Sequence, residues 1–291
     1  MKGIILAGGS GTRLYPSTIA TSKQLLSVYD KPMIYYPLSV LMLGGIKEIL
    51  IISTPRDIEN FKNLFLDGSH LGLSIKYAIQ DQPKGIAQAI AIGRDFINHD
   101  NVCLILGDNI FYGDGLTEVI LKSIDRTKEN LASIFAIQVK DPRRYGVVEI
   151  SDESKVVSLE EKPKTPKTNL AATGIYFYPN DVIEKVNFLT PSQRGELEIT
   201  DLNKLYLEEN RLIAEKLLRG FTWIDTGTHD SMLDSSNFIC SIQKRNGLKI
   251  ACIEEIAFNK GFIDKNQLKA LSKFYKNNEY GSYLKKIIAK N

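Results

Sequence analysis

Residues 2–14 read KGIILAGGSGTRL, an apolar run that passes directly into a glycine-rich loop. The run predicts a buried strand, and the glycines at positions 8, 9 and 11 permit positive φ angles and close approach of the main chain to a ligand. Several backbone N–H groups can then converge on an anion. Arg13 and Lys23 add charged donors, which bind phosphate oxygens more strongly than neutral donors do. The stretch therefore predicts a strand that leads into a triphosphate-binding loop.

Two other phosphate-binding loops do not fit this spacing. A dinucleotide-binding G-x-G-x-x-G pattern that began at Gly9 would need a glycine where Leu14 stands. A P-loop would end in Gly-Lys-Ser or Gly-Lys-Thr, whereas Lys23 follows Ser22 and lies well beyond the glycines. An NAD-binding oxidoreductase is therefore disfavoured.

Length, composition and charge favour a small-molecule ligand over nucleic acid. The 291 residues suffice for one large or two small domains with a substantial core. A net charge of +3 creates no strong field towards nucleic acid. The chain has no signal-like start and no run of about 18 apolar residues, so we expect a cytoplasmic protein without membrane spans. Three cysteines, at positions 103, 240 and 252, lack metal-type spacing.

The order of the predicted elements indicates an α/β fold. Apolar runs predict strands, and amphipathic or apolar segments between them predict helices. The predicted strands are 2–7, 48–53, 74–80, 102–106, 132–139, 212–218 and 221–224, and the first helices are 34–43, 57–66 and 86–97. This alternation favours an open, mostly parallel sheet of Rossmann type. Residues 147–150 and 155–160 flank a turn and predict a β-hairpin.

Polar residues follow three of these strands, at the edge where ligands of such sheets bind. Gln80 has an amide that can read a base edge or simply end a strand. Asp108 and Asp225 each follow an apolar run, where a carboxylate is costly unless it is paired or binds a cation. Mg²⁺ is the cation expected, although a turn or helix-capping role is the simpler alternative for Asp108.

Several motifs, taken together, resemble those of the sugar-phosphate nucleotidyltransferase family. The glycine-rich loop, Pro16 and Ser22-Lys23-Gln24 resemble its signature loop. The further matches, in chain order, are Gln80-x-x-Pro83-x-Gly85, Tyr145-Gly146, Glu161-Lys162-Pro163, Ala172-Thr-Gly-Ile-Tyr176 and Trp223-x-Asp225-x-Gly227. The resemblance covers about residues 1–240.

The resemblance implies two substrate-binding sets and one metal site. The nucleotide-binding set is Leu6, Gly8, Gly9, Ser10, Gly11, Thr12, Arg13, Gln24, Gln80, Pro83, Gly85 and Asp108. The set for the sugar phosphate is Asn109, Tyr145, Gly146, Glu161, Lys162, Ala172, Thr173, Gly174, Tyr176, Arg194 and Trp223. Arg13, Lys23, Asp108 and Asp225 would be catalytic, with the two aspartates holding Mg²⁺. Glu161 and Lys162 could otherwise be a charged strand end, and Arg194 a surface arginine beside a helix that begins at Gly195.

The reaction that the resemblance implies is thymidylyl transfer from dTTP to glucose 1-phosphate, giving dTDP-glucose and pyrophosphate. The sugar phosphate would attack the α-phosphorus directly, without a protein nucleophile. The product would feed dTDP-sugar biosynthesis of the dTDP-rhamnose type. Two alternatives stay open: the same chemistry with UTP, and a non-catalytic regulatory paralogue that binds nucleotide.

The resemblance also implies the domain organisation and the assembly. Residues 1–240 would form the catalytic domain, with a nucleotide-binding core at 1–140 and an inserted β-rich sugar-binding part at about 141–225. Residues 241–291 would be a helical interaction and regulatory segment. A homotetramer is expected, with a second nucleotide site between subunits that includes Gly115 and Arg219. Feedback by a downstream dTDP-sugar would act there.

Overall fold

The computed structural model describes residues 1–151, 153–276 and 278–290, which form a mixed α/β fold. The strands are β1 (Lys2–Ala7), β2 (Ser27–Val28), β3 (Lys31–Pro32), β4 (Glu48–Ser53), β5 (Ser74–Ile79), β6 (Val102–Leu106), β7 (Asn109–Tyr112), β8 (Ala132–Gln138), β9 (Gly146–Ile150), β10 (Val156–Glu161), β11 (Leu170–Tyr178), β12 (Leu212–Leu217) and β13 (Thr222–Asp225). The α-helices are α1 (Tyr35–Leu43), α2 (Ile58–Phe65), α3 (Gln88–Ile92), α4 (Arg94–Ile97), α5 (Leu116–Lys128), α6 (Val182–Lys185), α7 (Ile199–Glu208), α8 (His229–Asn246), α9 (Ile253–Asn259), α10 (Lys265–Phe274) and α11 (Glu279–Lys290).

The centre of the sheet is parallel, as the alternation of elements predicts. β1 lies between β4 and β6, with Ile4 opposite both Leu50 and Leu104. β5 continues the sheet in parallel beside β4. Strands covered by helices on both faces carry near-continuous apolar runs, which is why the sequence identifies them so clearly. Their carboxyl ends place Gly8, Gln80 and Asp108 at one edge of the sheet.

The second half of the sheet contains an antiparallel strand, β11, that the sequence prediction did not identify. β11 runs antiparallel between β6 and β8, and β12 pairs in parallel with β8. The predicted hairpin is present as β9 and β10, and β9 continues the same sheet beside β11. Asp152 of its turn lies outside the described residues. The β-rich part is therefore continuous with the nucleotide-binding sheet.

Two helical layers cover the sheet. On one face, α1, α2, α5 and the C-terminal helices share one hydrophobic cluster with side chains of the adjacent strands β1 and β4. On the other face, α3, α6 and α7 pack around a second cluster that includes Tyr178 and Tyr206. Helix α1 is buried almost all round, which agrees with its apolar sequence. No helix in the described part of the chain has both the length and the hydropathy needed to cross a bilayer.

Two predicted helices have different bounds in the structure, and one strand was not predicted. The helix expected at 86–97 is divided into α3 and α4 at Gly93, where a Cβ would lie 2.7 Å from Ile4 Cδ1 on the sheet. The helix expected to begin at Gly195 begins at Ile199, because Glu198 keeps an extended backbone. Residues 109–112 form β7, which pairs with β13 although no strand was predicted there.

The C-terminal helices pack against α1 and contain a buried carboxylate. Glu254 accepts hydrogen bonds from the hydroxyls of Tyr275 and Tyr280, at 3.0 and 2.6 Å. These bonds satisfy a side chain that is only 2% exposed. The role of residues 241–291 as an interaction segment stays a prediction.

Candidate active site

Two adjoining cavities, of about 610 and 310 Å³, open at the carboxyl ends of the parallel strands. Together they bring into one crevice every residue of the predicted nucleotide, sugar-phosphate and metal sets. Both are lined by Gly8, Gly9, Arg13, Gln24, Pro83 and Asp108. Ser10, Gly11, Thr12 and Lys23 line the smaller cavity, and Glu161, Lys162 and Arg194 line the larger one. The predicted roles of these residues remain proposals.

The glycine-rich loop adopts the strained backbone that its glycines permit. Gly9 and Gly11 have φ angles of 95° and 64°, in the region that side-chain-bearing residues rarely occupy. Arg13 follows in a short 3₁₀ turn and is exposed to the crevice. A Cβ at Gly227 would lie 3.3 Å from both Arg13 Nη atoms and from Asp225 Oδ1, so Arg13 and Asp225 flank that glycine.

The pairing of β7 with β13 brings the two aspartates together. Asp225, the last residue of β13, lies opposite Asn109, the first residue of β7. Thr226 donates its hydroxyl to the Asp108 carbonyl at 2.8 Å, which links the residue after β13 to the residue before β7. The β7–β13 pairing therefore explains why two carboxylates more than a hundred residues apart share one site.

The two carboxylates have opposite electrostatic environments. Burial opposes ionisation of Asp108, but an ion pair with the Lys23 ammonium and a hydrogen bond from Asn109 hold its pKa below the ordinary value. Burial and, after it, the charge of Asp108 raise the pKa of Asp225. The positive charges of Lys23, Arg13 and Arg144 lower the pKa of Asp225 but do not offset burial and the charge of Asp108.

The two carboxylates suit a divalent cation whose remaining ligands come from water and substrate. No group of three or more His, Cys, Asp and Glu side chains in the described ranges could hold a metal by itself. Mg²⁺ is commonly held by one or two carboxylates, water and substrate phosphates, so a two-aspartate site does not need a third protein ligand. A cation there would also relieve the repulsion that raises the pKa of Asp225.

The end of the crevice that is predicted to bind the base is built around Gln80, which is 3% exposed. Its Nε2 donates to Gln88 Oε1 at 2.8 Å, and Gln88 Oε1 also accepts from the Lys84 backbone at 3.1 Å. Gln88 therefore orients the amide, and sequence reasoning did not identify it because it lies inside a helix. Gly85 has φ 101°, and a Cβ there would lie 2.6 Å from the Leu197 nitrogen. Gly85 is thus required by the neighbouring loop in addition to any contact with a base.

The end of the crevice that is predicted to bind the sugar phosphate is rich in paired charges. Glu161 accepts from the Thr200 hydroxyl at 2.6 Å and pairs with Lys162 at 2.8 Å. Burial opposes its ionisation, but these bonds hold the pKa of Glu161 below the ordinary value. Arg194 contacts both carboxylate oxygens of Glu198 at 2.9 Å. Arg194 is therefore held by carboxylates and does not lie directly beside a helix N-terminus, since the helix begins at Ile199, and its role toward the sugar phosphate stays a prediction.

Asn109 forms a buried hydrogen-bonded junction and is 2% exposed. Its Oδ1 accepts from the Trp223 indole N–H at 2.6 Å and from the Gly174 N–H at 3.0 Å. Its Nδ2 donates to Asp108 at 2.9 Å. Asn109 thus links β7, β11 and β13 and orients Asp108, so the side chain positions other groups besides lining the crevice.

Replacement of Asn109 by Ala should destabilise the fold. The change leaves two buried donors unsatisfied, and each such group costs roughly 1–3 kcal/mol. We expect urea denaturation to give a lower free energy of unfolding by about 2–4 kcal/mol, with Asn60→Ala on the exposed face of α2 as the control. A loss below about 1 kcal/mol would contradict the junction role.

Sequence reasoning missed several residues of the crevice. They carry no motif of their own and reach the site only through the fold: Ile86, Leu106, Arg144, Glu196, Glu198, Ile199, Thr200 and Asn203. Arg144 is the notable cation among them, since its charge lowers the pKa of Asp225 although burial and Asp108 outweigh it. Its position two residues before the predicted Gly146 was the only signal.

The predicted regulatory residues lie apart from this crevice. Gly115 lines a separate cavity of about 400 Å³ between α1, α5 and the segment that follows α8. Lys249 and Ile256 also line it. Arg219 is exposed and does not line that cavity in the described chain.

Comparison with known proteins supports one family. A family model described as nucleotidyl transferase matches residues 2–242. A glucose-1-phosphate thymidylyltransferase of Neisseria meningitidis is 53% identical over 290 residues, covering 100% of both chains. A protein of the same name from Mycobacterium tuberculosis is 52% identical over 292 residues, again covering 100% of both.

Solved structures agree with these relatives. A Bacillus anthracis structure described as a glucose-1-phosphate thymidylyltransferase with sucrose is 40% identical, with a TM-score of 0.75, and covers 82% of this chain and 94% of that one. A UDP-glucose pyrophosphorylase complexed with UDP-glucose is 24% identical, with a TM-score of 0.73, and covers 84% and 99%. The second likeness concerns the fold alone.

Proposed function

The chain belongs to the nucleotidyl transferase family, and on this premise we propose that it transfers the thymidylyl group of dTTP to glucose 1-phosphate, releasing pyrophosphate. Relatives that match the full length of the chain and share about half of its residues are named glucose-1-phosphate thymidylyltransferase. The observation that carries the proposal is the single crevice that joins a base-reading amide, a phosphate loop and a carboxylate suited to sugar hydroxyls. The product is dTDP-glucose, a precursor for dTDP-sugars.

The catalytic problem is to bring two anionic substrates together in line. Arg13 and Lys23 neutralise the triphosphate, and the loop N–H groups bind its oxygens. Lys162 and Arg194 bind the phosphate of the sugar, while Glu161 accepts hydrogen bonds from sugar hydroxyls. Because the attacking phosphate oxygen is already anionic, no general base is needed. Charge stabilisation and orientation account for the rate.

Asp108 and Asp225 would hold Mg²⁺, which would supply charge neutralisation and a template for the phosphates rather than a metal-bound hydroxide. Lys23 pairs with Asp108 and would be available to the triphosphate once a cation shares the charge of Asp108. The cytoplasmic location and the dTDP-rhamnose type of pathway stay predictions.

Pyrophosphate release tests the proposed function. The assay uses Mg²⁺ and glucose 1-phosphate with dTTP or UTP in parallel, and each nucleotide alone as the control. We expect release that depends on the sugar phosphate and is faster with dTTP. Dominance of UTP would assign the same chemistry to uridylyl transfer. Absence of release from folded protein with either nucleotide would favour the non-catalytic paralogue.

Replacement of Gly8 by Ala should weaken nucleotide binding without unfolding the chain. The new methyl group would overlap Gln80 Oε1, a side-chain atom that can move, so the base-reading amide is displaced while the sheet persists. We expect the KM for dTTP to rise roughly tenfold, equivalent to about 1.4 kcal/mol. Steady-state kinetics checks this, with Asn60→Ala on the exposed face of α2 as the control. An unchanged KM for dTTP would contradict the base-reading role of Gln80.

A homotetramer and a second nucleotide site are proposed from the family resemblance. The cavity that contains Gly115 is the candidate for the second site. We expect saturation binding of dTDP-glucose to give two sites per subunit, with the weaker one lost in Gly115→Trp. A stoichiometry of one site per subunit would argue against feedback at this cavity.

A further inference from the structure

The segment that follows the phosphate loop is held to the protein at very few points. Residues 12–20 lie on the surface, and only Leu14 and Thr18 among them are buried. Arg13, the cation proposed to bind the triphosphate, immediately precedes the first of these two anchors. The geometry of the loop therefore depends on what fixes Thr18.

Thr18 contacts Gly11, the left-handed residue of the loop. Its hydroxyl donates to the Gly11 carbonyl at 2.7 Å, and the same carbonyl accepts from the Leu14 N–H at 2.9 Å. A Cβ at Gly11 would lie 3.1 Å from Thr18 Cβ, so the two residues pack without spare room. Because a trans peptide is planar, fixing the Gly11 carbonyl towards Thr18 directs the Thr12 N–H the opposite way. Gly11 and Thr12 line the smaller, phosphate-binding cavity.

Arg56 holds the other side of Thr18. It lies in the loop after β4, and its Nη1 donates to the carbonyls of Ile19 and Thr18 at 3.0 and 3.4 Å. Asp57, 1% exposed, accepts from Arg56 Nη2 and Nε at 2.8 and 3.1 Å. Thr54 donates to the same Asp57 oxygen at 2.9 Å. The guanidinium is thus oriented by a carboxylate that is itself fixed to the end of β4.

We propose that Arg56 and Thr18 form a brace that holds the phosphate loop and Arg13 in the conformation that accepts a triphosphate. Both are positioning residues: they act through the Gly11 carbonyl and the segment 15–20, and neither lines the substrate crevice. The consequence for the reaction rests on the proposed function. Loss of the brace lets the loop sample other backbone states, which weakens triphosphate binding more than it weakens binding of the sugar phosphate.

Two pairs of variants test the brace. Arg56→Ala removes the donors to both carbonyls, and Arg56→Lys retains the charge but not the fork of donors. Thr18→Val removes the hydroxyl at equal size, and Thr18→Ser retains it. The matched control is Arg94→Ala, because Arg94 is also exposed and donates to a backbone carbonyl, Ile183 O at 3.1 Å, far from the loop.

The kinetic readout is the KM for dTTP and for glucose 1-phosphate, measured at saturation of the other substrate. We expect Arg56→Ala and Thr18→Val to raise the KM for dTTP about tenfold and that for glucose 1-phosphate less than twofold, while Thr18→Ser and Arg94→Ala resemble the parent. Arg56→Lys should lie between. Equal increases in both KM values, or a KM for dTTP within twofold of the parent in Arg56→Ala and Thr18→Val, would overturn the brace.

Calorimetric titration with inorganic tripolyphosphate separates the brace from the proposed function. If the parent releases no pyrophosphate, the function fails, yet the parent should still bind tripolyphosphate about tenfold more tightly than Arg56→Ala does. Equal binding by parent and variant, with melting temperatures that show both to be folded, would overturn the brace whatever the activity.

Discussion

Asp225→Asn should lower turnover roughly 10²–10³-fold while leaving the chain folded, because it removes one of the two carboxylates proposed to hold the cation at the reacting phosphates. The side chain ends β13, opposite Asn109, and flanks Gly227 together with Arg13. Asparagine has nearly the same shape and can still accept a hydrogen bond. The loss therefore measures charge at this position rather than packing.

The stability of the Asp225→Asn variant should equal or exceed that of the parent. Burial and the neighbouring charge of Asp108 raise the pKa of Asp225, so the ionised form is disfavoured in the folded state. A raised folded-state pKa means that the native state gains stability from this group as the pH falls, and loses it as the pH rises. At neutral pH the amide removes that cost, and we expect a melting temperature equal to or above that of the parent.

The control for this variant is Asp234→Asn, an exposed aspartate on α8. It should leave both turnover and melting temperature unchanged. Parental turnover in folded Asp225→Asn would remove Asp225 from the metal site. A large fall in melting temperature would instead show that the charge of Asp225 stabilises the fold.

The sequence predicted the parallel centre of the sheet because those strands are apolar without interruption and bounded by loops. β1, β4 and β6 follow this pattern, and each was identified within a residue or so of its observed bounds. β11 was missed since its small residues, Ala171 to Gly174, carry no strand signal. β7 is only four residues long and follows a turn, so its pairing with β13 has no local cause in the sequence.

The motif residues of the crevice could be predicted from the sequence, but the residues that pack around and orient them could not. Glycines, Arg13 and Lys23 occur in a recognisable order, whereas Gln88, Arg144 and Thr200 reach the site through helix or strand placement. The same reason hid the pairing of Lys23 with Asp108, because two residues 85 positions apart become neighbours only when β1 and β6 lie side by side. Long-range pairing of this kind is a property of the sheet and not of any segment.

Lys23→Met should lower both turnover and stability, which distinguishes it from Asp225→Asn. Turnover should fall roughly 10²–10³-fold through loss of a fixed cation at the triphosphate. The side chains of Lys23 and Asp108 are only 11% and 19% exposed, so the variant leaves a carboxylate poorly solvated and unpaired. Breaking a buried pair costs about 3–5 kcal/mol, and the partial exposure here places the expected loss near the lower limit.

The pH dependence of this loss follows from Asp108. Lys23 helps to hold the pKa of Asp108 below its ordinary value of 3.8 against the effect of burial. A lowered folded-state pKa contributes stability above the unfolded pKa, and this contribution disappears as the pH falls through the folded one. The stability difference between parent and Lys23→Met should therefore be largest at neutral pH and shrink below about pH 4. Urea denaturation at both pH values measures it, with Lys62→Met as the control for an exposed pair at 2.7 Å.

The double variant Lys23→Met/Asp108→Asn separates the structural cost from the catalytic one. Neutralising Asp108 removes the unpaired carboxylate, so most of the stability lost in Lys23→Met should return. Turnover should not return, because both the cation for the triphosphate and one proposed metal ligand are then absent. Recovery of activity together with stability would mean that Lys23 acts only by balancing Asp108, and the triphosphate role of Lys23 would be wrong. If stability does not recover, the alkyl chain of Lys23 stabilises the fold through its packing and not through its pairing with Asp108.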